Sequence, residues 1–84
     1  MNEISVFPNP TSGKAMLTIN SMVDCRYNLK VLDILGKVII DQDFAMLEGL
    51  NSNEINLENV SSGVYIISIR STSSQVKTLR IVVE

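Results

Sequence analysis

Apolar and polar residues alternate with a period of two through most of this chain, the pattern of β-strands rather than helices. β-branched side chains fill the alternating runs, and Gly, Pro, Asn, Ser and Asp fill the gaps. The reading is seven or eight short strands. The first covers residues 4–7 and stops at Pro8-Asn9-Pro10, where two prolines remove backbone donors and fix φ, so a ladder cannot continue. Thr11-Ser12-Gly13 completes the turn, with Gly13 suited to positive φ. The second strand spans residues 14–20, with Ala15, Leu17 and Ile19 on one face. The third spans about 26–33 and sets Tyr27, Leu29 and Val31 against Arg26, Asn28 and Lys30. Asp33-Ile34-Leu35-Gly36 then reads as a hairpin turn, Asp33 opening a type I turn and Gly36 taking the αL place after it. The return strand, 37–42, carries Val38, Ile39 and Ile40 in a row, which implies burial on both faces or one position at an edge.

The pattern weakens over residues 43–53. Residues 44–47 fit a strand or a single helical turn, and residues 48–53 have loop chemistry. A short strand follows at 54–57 with Ile55 and Leu57 inward, then a crossover to Gly63, which allows a kink at strand entry. Residues 64–70 and 76–83 are the strongest strands, joined by a polar hairpin loop at 71–74. Tyr65 shares parity with Ile67 and Ile69, so its ring should enter the core with its hydroxyl at the rim. Leu79, Ile81 and Val83 form the inner face of the last strand. Pairing of these two strands would leave Val64, Ile66, Val76 and Val82 outside, near Arg70 and Arg80. An apolar patch edged by cations reads either as a docking surface or as a face that another strand or loop covers. Lys77 has core parity but stands at a strand start, where its ammonium can snorkel to solvent. Regular short strands with turn signals between them indicate an all-β sandwich or barrel, and with no repeat or linker the whole of 1–84 reads as one domain.

Composition narrows the function classes. A chain of 84 residues buries only ~60–65% of its unfolded surface, so one modest core is available. With 45% hydrophobic and 19% charged residues it is globular. The seven basic residues are scattered and the net charge is −2, which argues against a nucleic-acid face and an anionic membrane surface. No apolar stretch is long enough for membrane insertion. Met1-Asn2-Glu3 is acidic and leads straight into a strand, so no signal peptide is read there. Taken alone this suggests a cytosolic protein, but a domain from the end of a longer precursor would look the same, with Met1 an added initiator.

Little in the chain supports chemistry. It has no His, so His-based triads, zinc sites and general bases are lacking. Cys25, the one cysteine, cannot form an internal disulfide and reads as a spare small residue. The four glycines sit in separate turns, so no phosphate loop exists. Asp41 and Asp43 could face the same way along a strand, but Ca²⁺ wants six or more oxygens, and a solvated surface pair is the simpler reading. Asn59-Val60-Ser61 is formally a glycosylation sequon, a pattern common by chance. The expectation is a non-enzyme without a cofactor.

Four motifs stand in a particular order: Phe7-Pro8-Asn9-Pro10-Thr11-Ser12-Gly13; Val31-Leu32-Asp33-Ile34-Leu35-Gly36-Lys37-Val38; Ile55-Asn56-Leu57 with Val60-Ser61-Ser62-Gly63-Val64-Tyr65; and the basic-hydrophobic ending Lys77-Thr78-Leu79-Arg80-Ile81-Val82-Val83. Together they resemble the type A C-terminal sorting domain of type IX (Por) secretion cargo in Bacteroidetes-type bacteria, over about residues 4–84. The resemblance implies a seven-stranded Ig-like antiparallel sandwich at the end of a larger secreted protein. It implies passage of an upstream cargo from the periplasm through an outer-membrane translocon to the cell surface or medium, and removal of the domain by a sortase-like surface protease. The expected recognition residues are Lys77, Arg80, Val82, Val64, Ile66 and Gly63, together with a free edge along the C-terminal strand. Pro8, Asn9, Pro10, Gly13, Asp33 and Gly36 are expected to shape turns, the first group also marking the boundary with the cargo. The rival reading is an Ig- or fibronectin-like accessory binding or adhesion module.

Overall fold

A computed structural model describes residues 3–72 and 76–84, and the alternation becomes seven strands there with no helix among the described residues. They are β1 (Glu3–Phe7), β2 (Lys14–Ser21), β3 (Cys25–Leu32), β4 (Val38–Met46), β5 (Gly49–Asn56), β6 (Gly63–Ser71) and β7 (Val76–Val83). Two antiparallel sheets form, one ordered β1-β2-β5 and the other β4-β3-β6-β7. They pack as a sandwich, not a closed barrel, in the immunoglobulin-like manner. The fourth strand lies beside the third, so the layers are three strands on four. The constant-type immunoglobulin arrangement instead places four strands with the first and three with the second.

The core sits where strand parity puts it. β2 contributes Ala15, Leu17 and Ile19, β3 contributes Tyr27, Leu29 and Val31, β6 contributes Tyr65, Ile67 and Ile69, and β7 contributes Ile81 and Val83, all buried. Tyr27 stacks on Phe44 with ring centroids 5.3 Å apart, and its hydroxyl accepts a hydrogen bond from the Asn53 amide. The Tyr65 ring is buried, and its hydroxyl reaches the rim to donate to the Ser61 carbonyl at 2.6 Å. These side chains form one core cluster between the sheets, which is the main source of stability in a domain of this size.

Three local expectations are corrected. Residues 49–53 are strand, not loop: β5 begins at Gly49 and pairs with β2 along its whole length. Polar residues serve there because their side chains find partners. Asn51 exchanges hydrogen bonds with the Leu47 backbone at 3.0 and 2.8 Å, bracing the β4–β5 turn, while Asn53 serves Tyr27. The strand expected over 37–42 begins at Val38 and runs on to Met46, and Val38-Ile39-Ile40 is explained by a shift in register. Ile40 pairs with Val31 and Val38 with Leu32, leaving Ile39 as the extra residue of a bulge. Finally, Gly13 does not have positive φ. Its lack of a side chain matters for closeness, because a Cβ there would lie 2.9 Å from Glu58 Cγ, and its carbonyl accepts from Leu57 N–H at 2.6 Å. The loop expected at 71–74 lies partly outside the described residues.

Candidate functional site

β7 is an edge strand, and its sequence determines what each side of it can offer. Its alternation puts Leu79, Ile81 and Val83 inward and Val76, Thr78, Arg80 and Val82 outward. Pairing with β6 sets Val64 opposite Val82, Ile66 opposite Arg80, Ser68 opposite Thr78 and Arg70 opposite Val76. The outer face thus brings together Val64, Ile66, Val82 and Arg80 as expected, with Gly63 opposite Val83 at their end of the strand. Val76 is not with them. It lies at the far end beside Arg70, beyond the Ser68–Thr78 pair, 46% exposed.

The patch extends instead across the sheet. Leu32 of β3 stands opposite Ile66, and Val38 of β4 stands opposite Leu32. Leu32, Ile66 and Val82 are half-buried, while Val38 and Val64 are exposed. Sequence reasoning missed Leu32 and Val38, although following the outward parity of Arg26, Asn28 and Lys30 by one more step would have reached Leu32.

The edge of β7 is half closed, which corrects the expectation of a free C-terminal edge. Residues 9–11 run alongside its last residues. The Asn9 side-chain amide donates to the Arg80 carbonyl at 2.8 Å, and its oxygen accepts from Val82 N–H at 3.0 Å. Thr11 N–H then donates to the Val82 carbonyl, and Glu84 N–H to the Thr11 carbonyl, both at 2.9 Å. These form a short parallel bridge between Thr11 and Val83. The Pro8-Asn9-Pro10 motif therefore does more than end β1. Between residues without a backbone donor, an asparagine side chain takes the place of a strand's own peptide group. By alternation Val76 and Thr78 point their backbone groups outward in the same direction, and none of the described residues bonds to them there.

Lys77 has core parity, opposite Ile69, yet is exposed. The sandwich is open on that side. A groove of about 540 Å³ separates β1 from β7, lined in part by Glu3, Ile4, Lys77 and Leu79. Lys77 is thus apart from the apolar patch and belongs to the uncovered half of the edge.

The other turn motif is tightly built. Gly36 N–H donates to the Asp33 carbonyl at 3.0 Å, Asp33 N–H to the Lys37 carbonyl at 2.9 Å, and the Asp33 carboxylate accepts from Leu35 and Lys37 N–H at 2.9 Å each. Gly36 has φ +86°, the left-handed conformation expected of it. Asp41 and Asp43 do share the outer face, and both accept from the Asn28 amide, at 2.7 and 3.0 Å. Lys30 Nζ donates in turn to Asn28 Oδ1 at 3.1 Å. Cys25 is half-buried at the start of β3, opposite Met46.

A search of curated proteins returns no match. A family model described as the secretion system C-terminal sorting domain matches residues 5–84, nearly the whole sandwich, including the Asn9–β7 closure, the Asp33 turn and the final strand. The chain belongs to the type IX secretion C-terminal sorting domains, the signals that send an attached cargo to the cell surface or medium.

Proposed function

We propose that this sorting domain is read as a folded unit by the outer-membrane translocon, through the outer face of its four-stranded sheet. On this reading Val64, Ile66 and Val82 supply apolar contact, and Arg80 a charge at its border. Gly63 keeps the strand entry beside them free of a side chain, and Lys77 contributes from the open edge. The cargo crosses the periplasm with the domain attached, and a sortase-like surface protease then separates them. The domain itself performs no chemistry.

The observation that carries this reading is the contiguity of the patch. Four strands contribute an outward aliphatic at the same end of one face. A scattered surface aliphatic needs no explanation, but a connected set across a sheet marks an interaction site. The opposite end of that face carries Arg26, Asn28, Asp43 and Arg70, with Ala45 and Val76 set singly among them, so it is mainly polar.

The test fuses residues 1–84 to the C-terminus of a periplasmic reporter in a type IX-competent bacterium. The wild-type fusion reaches the surface or medium. The double variant Arg80→Asp, Val82→Asp stays inside, while its circular dichroism and thermal midpoint show a folded domain. Normal export of that folded variant would reject the proposed face, and periplasmic retention of the wild-type fusion would reject export by these residues altogether.

A further inference from the structure

The hairpin that joins β3 to β4 presents two aliphatic side chains to solvent on a braced scaffold. Ile34 is 76% exposed and Leu35 is 89% exposed. Turn centres ordinarily carry Gly, Asn, Asp or Ser, each with a conformational reason. Here the conformational requirements are met by Asp33 and Gly36 alone. The turn would close equally well around two polar residues, so folding does not account for Ile34 and Leu35.

The turn also has a definite place. It connects Leu32 and Val38, which stand side by side on the outer face and continue through Ile66 towards Val82. Lys37 lies in the same turn and Arg80 opposite Ile66, while the turn's carboxylate, Asp33, is folded back onto the Leu35 and Lys37 N–H groups, so the charges left facing outward beside the apolar residues are cationic.

We infer that Ile34 and Leu35 are the anchor of the sorting domain, a rigid apolar prong that enters an apolar pocket with a carboxylate rim on a protein of the export apparatus. The inference rests on the export reading above and adds the residues that dominate recognition and the chemistry of what receives them. Two features select a protein pocket over other occupants. The prong and its flank amount to a handful of side chains, whereas a stable dimer interface uses about 20–30 residues a side, so a second copy of this chain is a poor fit. Ile34 and Leu35 together offer about eight side-chain carbons, fewer than one myristoyl chain, which by itself holds a protein to a bilayer only marginally. A small prong on a preordered backbone suits brief, specific docking, because the four hydrogen bonds of the turn have already met the ordering cost of its main chain.

The test uses the same reporter fusion with Ile34→Ser, Leu35→Asn, a pair that keeps turn-compatible residues. Export should fall at least tenfold, with the thermal midpoint within about two degrees of wild type. In a second arm, a photo-crosslinking amino acid at position 35 in exporting cells should yield an adduct that mass spectrometry identifies as a type IX component. Unchanged export of the double variant would overturn the anchor while leaving the export reading intact. Retention of the wild-type fusion would instead overturn the export reading. Adducts only to lipid, or only to a second copy of the domain, would overturn the protein pocket as occupant.

Discussion

Replacing Asn9 by alanine tests whether a side chain really closes the edge of β7. The variant loses the bond to the Arg80 carbonyl and the bond from Val82 N–H, at 2.8 and 3.0 Å. Each is solvent-exposed, so water replaces part of what is lost, and each contributes about 0.5–1.5 kcal/mol net. The expected cost is about 1–3 kcal/mol, which in a domain of this size lowers the thermal midpoint by roughly 4–24 °C. A circular-dichroism melt measures the shift. Hydrogen exchange localises it, since Val82 N–H should exchange at least about tenfold faster in the variant. Asn9→Asp separates the two bonds. The carboxylate can still accept from Val82 N–H, but it places negative charge against the Arg80 carbonyl, so it should not restore full stability. A melt of Asn9→Ala within a degree of wild type, with Val82 protection unchanged, would refute the account of the closed edge.

Two further outcomes follow from the core. Ile67 is fully buried at the centre of the four-stranded sheet, so Ile67→Ala should cost about 2–5 kcal/mol and leave a large unfolded fraction, whereas Ile67→Val should cost about 0.5–1.5 kcal/mol; urea titrations with equal slopes will measure both. Burial raises the pKa of Tyr27 above its ordinary 10.0, with the Asn53 hydrogen bond opposing that shift in part. The folded state therefore holds the phenolic proton more tightly than the unfolded one. That stability is complete below pH 10 and is lost as pH rises through the folded pKa. Stability of the wild type should fall on titration above pH 10, and Tyr27→Phe should flatten that fall; an unchanged alkaline slope in the variant would remove Tyr27 as its cause.

Much of the sandwich was legible because most of its inward positions on β2, β3, β6 and β7 are aliphatic. Leu17 and Ile19, Leu29 and Val31, Ile67 and Ile69 each declare a strand and a face, and the sheet obeys them. β5 was not legible over residues 49–53, because its inward positions are asparagines whose partners, the Tyr27 hydroxyl and the Leu47 backbone, come from other parts of the chain. The docking face was half legible. Parity put Val64, Ile66, Val82 and Arg80 together, but parity within a strand does not say how far apart two residues lie across the sheet. Only the register with β6 separates Val76 from the others, and only the register with β3 and β4 adds Leu32 and Val38. The role of Asn9 was illegible for a related reason. Pro-Asn-Pro announces the end of a strand locally, while its partners lie more than seventy residues away.

That separation makes the domain hard to counterfeit in part. The stitches from Asn9 and Thr11 to Arg80, Val82 and Glu84 join the two extremes of the fold. Contacts so distant in sequence form only after the intervening chain has been arranged. A polypeptide cut short before Val82 would lose this seam as well as Val83 from the core. The segment that follows its first strand would lose its attachment at Val82 and Glu84, and β7 would be left ragged. The fold is sewn shut only on a chain that has been synthesised through its last strand, so a chain that stops short of it lacks both the seam and the end of the core.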